Sequence, residues 1–144
     1  MSVLVTGGAG YIGSHMAHTL ADRGESVVVL DNLSTGVRAQ VPKKAVFVQG
    51  DTADSELVRW LIDRHAIEAV IHFAGSIIVP ESVANPLLYY ANNTAASRSL
   101  IADCVAQGVR NFIFSSTAAV YGMPSRSPVV EMDVTAPINP YGRS

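Results

Sequence analysis

Three glycines spaced three apart, Gly7, Gly10 and Gly13, stand between an apolar strand, Val3-Leu4-Val5, and a helix that opens at Tyr11. No other feature of the chain restricts its fold as tightly. A strand that runs into such a turn and then into a helix reads as a dinucleotide-binding turn. Gly7 permits the tight turn, Gly10 lets the backbone approach a pyrophosphate with no Cβ in the way, and Gly13 lets the helix pack closely on the strand. Phosphates then sit at the helix N-terminus, against the unpaired N–H groups of Tyr11, Ile12 and Gly13.

The rest of the fingerprint follows at the expected place. A second apolar strand, Ser26-Val27-Val28-Val29-Leu30, ends in Asp31, about 20 residues past the glycines, where a carboxylate accepts the two ribose hydroxyls of an adenosine. That carboxylate repels a 2′-phosphate, so NAD is expected over NADP. Short apolar strands near 2–6, 26–30, 45–48, 68–73 and 110–115 alternate with helical stretches near 11–23, 54–65 and 82–107. This is the βαβ pattern of an α/β fold, a doubly wound parallel sheet covered on both faces. In the stretch from Pro80 to Gln107 the Asn85-Pro86 turn signal precedes a long helix. Ala118 to Pro140 carries four prolines and little periodicity and reads as an active-site loop.

Length and composition narrow the function classes. A chain of 144 residues, 49% of them hydrophobic, has the size of one domain and enough apolar surface for a sizeable core. Apolar runs are broken by charge within about ten residues, short of the roughly 20 that span a bilayer, so no membrane partner is expected. A net charge of −2 without a basic cluster gives no footprint for nucleic acid. The single cysteine, Cys104, reads as a buried thiol in a reducing compartment, and a cytoplasmic location is expected. The four histidines, His15, His18, His65 and His72, have no metal-ligand spacing and read as structural; no metal is expected. Leu57, Trp60 and Leu61 recur at helical spacing and read as core.

Six ordered motifs then carry a resemblance across the whole chain: Thr6-Gly7-Gly8-Ala9-Gly10-Tyr11-Ile12-Gly13-Ser14-His15, Leu30-Asp31-Asn32-Leu33-Ser34, Gly50-Asp51, His72-Phe73-Ala74-Gly75, Phe114-Ser115-Ser116-Thr117 and Asn139-Pro140-Tyr141-Gly142-Arg143-Ser144, with Tyr89-Tyr90-Ala91-Asn92-Asn93-Thr94 between them. Together they resemble the extended short-chain dehydrogenase/reductase family, and within it the sugar-nucleotide 4-epimerases. The resemblance implies a Rossmann-type NAD-binding domain that occupies residues 1–144, cut before its last strand and before a substrate domain. It implies a UDP-sugar as substrate. It also implies a reaction in which the sugar C4 hydroxyl is transiently oxidised with NAD, the 4-keto intermediate turns over, and the hydride returns to the other face.

The resemblance assigns roles residue by residue. Tyr141 matches the base that takes the C4 hydroxyl proton, and Thr117 the hydroxyl that relays it. An unperturbed phenol titrates near about 10, so a phenolate at neutral pH needs positive charge nearby. In the family a lysine four residues on supplies it, one helical turn along; here that position is 145, past Ser144. Asp51 matches the carboxylate aimed at the adenine amino group, with Thr52 beside it; read alone, Asp51 equally caps a helix. Asn32 and Ser34 follow Asp31 in the ribose-binding segment. The resemblance places Phe73, Ala74 and Gly75 under the pyrophosphate and ribose, Asn92 beside the cofactor, and Ser115 near the nicotinamide. Ile77 stands where some of these enzymes carry a lysine. Ala118-Ala119 replace the Asp-Glu pair with which 4,6-dehydratases expel water, which disfavours that chemistry.

These residues also bound the alternatives. A non-catalytic NAD-sensing module, an epimerase of UDP-glucuronate or of an N-acetylated sugar, and a dehydratase are the competing readings. The parent enzyme is expected to be a homodimer built on the long helix and the helix begun at Tyr141. The 144 residues alone are expected to be inactive and to aggregate or associate non-natively.

Overall fold

In the computed structural model, which describes all residues from Met1 to Ser144, every regular element of the sheet falls where hydrophobic patterning places it. In chain order the elements are β1 (Ser2–Thr6), α1 (Tyr11–Asp22), β2 (Ser26–Asp31), β3 (Val46–Gln49), α2 (Ser55–Arg64), β4 (Ala69–His72), α3 (Val79–Ala84), α4 (Pro86–Tyr89), a π-helical turn (Tyr90–Ala95), α5 (Ala96–Ala106), β5 (Asn111–Phe114) and α6 (Pro140–Arg143). The chain divides into two compact units, Met1–Gly75 with Ala96–Ser115, and Ser76–Ala95 with Ser116–Ser144.

The first unit holds a five-stranded parallel sheet in the order β3-β2-β1-β4-β5. β1 lies at its centre and is buried along its whole length. Alternation along the strands divides the core in two. Val3, Val5, Val27, Val29 and Ile71 point to one face, where they meet Ala17 and Ala21 of α1. Leu4, Val28, Leu30 and Val70 point to the other, where Val58, Leu61 and Ile62 of α2 and Leu100 and Cys104 of α5 cover them. Burial on both faces explains why the strands read as unbroken apolar runs. α1 ends where Gly24 turns back at φ +81° and its N–H reaches the Ala21 carbonyl, a glycine-terminated helix end. Asp54 starts α2 by accepting the Leu57 N–H at 3.0 Å.

Two expectations need correction. Trp60 is 53% exposed and is not a core residue. The buried seam of α2 runs through Val58, Leu61 and Ile62, and at 100° per residue Trp60 falls about 200° from Val58, on the outer face. There its ring meets His65 edge-on at 6.2 Å. The expected helix near 82–107 is not one run of α-helix. Asn85 ends α3 and caps α4, accepting the Leu88 N–H at 3.4 Å, because Pro86 cannot donate to continue the ladder. The backbone then takes a π-helical turn before α5.

In the second unit, Asn139 accepts the Gly142 N–H at 2.8 Å and so starts α6. Tyr89 is fully buried. Its hydroxyl accepts the Ile78 N–H at 2.9 Å and lies 2.7 Å from both the Ile78 carbonyl and a Glu81 carboxylate oxygen. Burial and the Glu81 carboxylate together hold its pKa above the ordinary phenol value.

Candidate functional site

All five strands of the first unit are parallel, so the residues that follow their carboxyl ends gather along one edge of the sheet. These are Gly7 after β1, Asn32 after β2, Asp51 after β3, Phe73 after β4 and Ser115 after β5. At β1 and β4 the strand order reverses direction, the position where open α/β sheets leave a crevice for a ligand. The glycine turn fills one wall of it. Gly7 sits at φ +67°, and a Cβ there would stand 2.6 Å from the Ala74 nitrogen and 2.8 Å from the Phe73 carbonyl carbon. A Cβ on Gly13 would overlap the Gly7 carbonyl oxygen. Gly10 differs: its Cβ would meet only the Gly7 oxygen, at 3.2 Å. Two glycines are therefore required by packing, and the third keeps clear the space in front of α1.

That helix start is electrostatically open. Gly10 is its N-cap, no side chain caps it, and its first turn holds no acidic residue. The macrodipole and the free first-turn amides favour an anion there. The side chains of Tyr11 and Ile12 are exposed at the rim.

Asp31 does more than the spacing suggested. Its buried carboxylate accepts the Ala9 N–H at 2.9 Å through one oxygen and the Leu33 N–H at 2.8 Å through the other. It thus ties the glycine turn to the end of β2. A carboxylate offers about four lone-pair directions, so a diol can still be accepted beside these two amides. Leu33 adopts φ +60°, a left-handed conformation that costs a leucine on the order of 1 kcal/mol, and the hydrogen bond to Asp31 holds it there. Gly36 lets the loop close: a Cβ on it would lie 2.7 Å from the Asp31 carboxylate. Farther along, Asn32 donates to Asp51 at 3.0 Å and accepts the Ser34 N–H at 2.9 Å. Asp51 also accepts the Ala53 N–H, while Asp54 caps α2. Thr52 is buried.

The second unit carries the hydroxyls. Thr117 accepts the Ala119 N–H at 3.2 Å at the head of a 3₁₀ turn, Ala118–Tyr121. α6 lies against this turn, since a Cβ on Gly142 would stand 2.8 Å from the Ala119 carbonyl oxygen. Tyr141, on the first turn of α6, packs edge-on to Tyr89 with ring centroids 6.5 Å apart. Asn92 donates to the Ser76 hydroxyl at 2.9 Å. Its neighbour Asn93 was not singled out from sequence, yet it grips the Ser76 backbone at both N–H and C=O and donates to the Ser144 hydroxyl at 3.0 Å. Nothing in the spacing separates the two asparagines; only the π-helical turn, a feature frequent at functional sites, shows which one does what.

Beneath the crevice lies a buried polar group that spacing also left undefined. His72 Nδ1 is 2.6 Å from the Thr6 hydroxyl and Nε2 is 2.8 Å from the Ser97 hydroxyl. Burial pulls its pKa down to about 4. The unfolded chain takes up this proton near pH 6.5 and the folded chain does not, so stability falls as pH drops from about 6.5 towards 4, by about 3 kcal/mol in all. Urea unfolding at pH 7 and pH 4.5 is expected to show most of this loss in the wild type. His72→Gln is expected to show less of it, by that difference.

Comparison with known proteins places these features in context. Residues 3–144 match the profile of the NAD dependent epimerase/dehydratase family. A UDP-glucose 4-epimerase of Azospirillum brasilense is 53% identical over 142 residues, which are 99% of this chain and 41% of that protein. The crystal structure of a UDP-glucose 4-epimerase from Brucella ovis in complex with NAD superposes with a TM-score of 0.95 at 48% identity, over 99% of this chain and 43% of that one. The Thermotoga maritima enzyme with UDP-glucose gives a TM-score of 0.94 at 37% identity, over 99% of this chain and 47% of that one. The chain thus spans less than half the length of these relatives. No helix is long and apolar enough to cross a membrane.

Proposed function

The chain belongs to the NAD dependent epimerase/dehydratase family, and from that membership we propose that it is the nucleotide-binding part of a UDP-glucose 4-epimerase. The observation that supports this most is the buried Asp31 carboxylate bonded to the glycine turn at the carboxyl edge of the sheet. It joins the ribose site and the pyrophosphate site into one rigid cradle. In this reading the first-turn amides of Tyr11, Ile12 and Gly13 hold the pyrophosphate, with Gly7 and Gly10 shaping the turn. Asp31, Asn32 and Ser34 hold the adenosine ribose, and Asp51 and Thr52 face the adenine. Phe73, Ala74 and Gly75 form the floor, Ser115 after β5 serves the nicotinamide end, and Asn92 is a further cofactor residue carried by the second unit. NAD, when bound, supplies a reversible hydride acceptor.

Tyr141 takes the proton of the sugar C4 hydroxyl, and Thr117 hydrogen-bonds that oxygen and relays the proton. Glucose and galactose configurations interconvert because the 4-keto sugar turns over before the hydride returns to the opposite face of C4, while the same two hydroxyls serve both orientations. The whole protein pairs as a homodimer through α5, where Ile101 and Val105 are exposed.

Three measurements test the reading. Calorimetric titration of the full-length protein, freed of bound nucleotide, is expected to show NAD binding at least about tenfold tighter than NADP, a gap of about 1.4 kcal/mol; equal affinity would remove Asp31 from the ribose. Reading the encoding gene past codon 144 is expected to give a lysine at 145. In the protein so completed, Tyr141→Phe is expected to lower interconversion of UDP-glucose and UDP-galactose by about 10²–10⁴-fold, with NAD still bound.

A further inference from the structure

The β1 and β4 chains part at the crevice, and the last backbone bond between them runs from the Phe73 N–H to the Thr6 carbonyl at 3.0 Å. Thr6 and His72 are register partners on the two strands. Their side chains add a second link at this point, 2.6 Å long, and Ser97 extends it to α5. All three residues are buried. The rings of Phe112 and Phe114 flank the imidazole, and burial alone accounts for its lowered pKa, with no charged neighbour contributing. A neutral imidazole donates from one nitrogen and accepts at the other, and each hydroxyl can take the complementary role. Thr6 leads directly into Gly7, and His72 into the Phe73-Ala74 backbone that packs on Gly7. Both sides of the glycine turn therefore hang from this one pair.

We infer that His72, strung between the Thr6 and Ser97 hydroxyls, is a positioning residue for NAD: it sets the separation of the β1 and β4 ends and so the shape of the glycine turn. It touches no part of the cofactor. The inference rests on the NAD-binding reading above and deepens it. An apolar residue at 72 leaves two buried hydroxyls without their partner and removes the link, whereas glutamine offers a donor and an acceptor in its place.

The test titrates NAD calorimetrically into the full-length wild-type protein, freed of bound nucleotide, and into its His72→Phe, His72→Gln, Thr6→Val and Ser97→Ala variants at pH 7.5, with urea unfolding of each. NAD affinity is expected to fall about tenfold or more in His72→Phe and Thr6→Val while both remain folded, and to stay within about twofold of wild type in His72→Gln. The amide chemical shifts of Gly7 and Ala74 are expected to move in His72→Phe and return in His72→Gln. A folded His72→Phe that binds NAD as the wild type does would overturn the inference. If that variant does not fold, unchanged affinity in both Thr6→Val and Ser97→Ala overturns it equally. A wild-type chain that does not bind NAD overturns the proposed function and this inference with it.

Discussion

Gly13→Ala is expected to destabilise the chain by about 4 kcal/mol and to raise the Kd for NAD at least about 100-fold. The atoms nearest to a methyl group at this position all belong to the backbone of Gly7 and Gly8. It would overlap the Gly7 carbonyl oxygen and stand 2.9 Å from both the Gly7 carbonyl carbon and the Gly8 Cα. A flexible side chain could rotate away, but a carbonyl cannot move without its neighbours. The Gly7 oxygen already accepts the Gly10 N–H at 3.1 Å, and the Gly7 N–H is bonded to Leu30 at 2.9 Å. To admit the methyl group, α1 must lift from the sheet, and that withdraws Ala17 and Ala21 from the core beside Val3 and Val5. Urea unfolding and NAD titration of the variant check both effects. An unfolding free energy within about 1 kcal/mol of wild type, the low end of the overpacking cost, would mean that the turn is softer than its packing indicates.

Asp31→Ala is expected to cost about 3 kcal/mol of stability and about 100-fold in NAD affinity, for two separable reasons. The Ala9 and Leu33 amides lose a charged acceptor, which loosens the turn and releases Leu33 from its left-handed conformation. The ribose loses its acceptor as well. Asp31→Asn separates these contributions. An amide of the same shape keeps one acceptor oxygen but turns an NH₂ towards one of the two backbone donors, so a donor faces a donor. Stability is expected to fall by about half as much as in the alanine variant, and the preference for NAD over NADP is expected to narrow, because the repelling charge is gone. An asparagine variant with undiminished preference for NAD would show that the discrimination comes from elsewhere in the loop.

Much of this was legible because it is local. Apolar runs of four to six residues, the glycine triplet and the distance from it to Asp31 are properties of short segments, and the sheet places them together without further information. What was not legible depends on partners distant in sequence or on backbone detail. Trp60 follows the spacing of Leu57 and Leu61, but the buried seam runs through Val58, Leu61 and Ile62, which is set by where α2 crosses the sheet. The π-helical turn that separates the duties of Asn92 and Asn93 has no pattern of its own. Asp31 as an anchor for the glycine turn depends on the conformation of Leu33. His72 reads as one more residue of a buried strand until Thr6 and Ser97, 66 and 25 residues away, are seen beside it.

The central place of β1 has a consequence for how the chain is made. The strand synthesised first is the one that needs neighbours on both sides, and its second neighbour, β4, begins only at Ala69. At translation rates of about 5–20 residues per second, Val3, Leu4 and Val5 wait several seconds with at least one edge open. An exposed apolar strand edge is a template for the wrong partner. The nascent chain therefore passes through an interval in which whatever meets that open edge, and not only the final stability of the sheet, bears on how much of it folds.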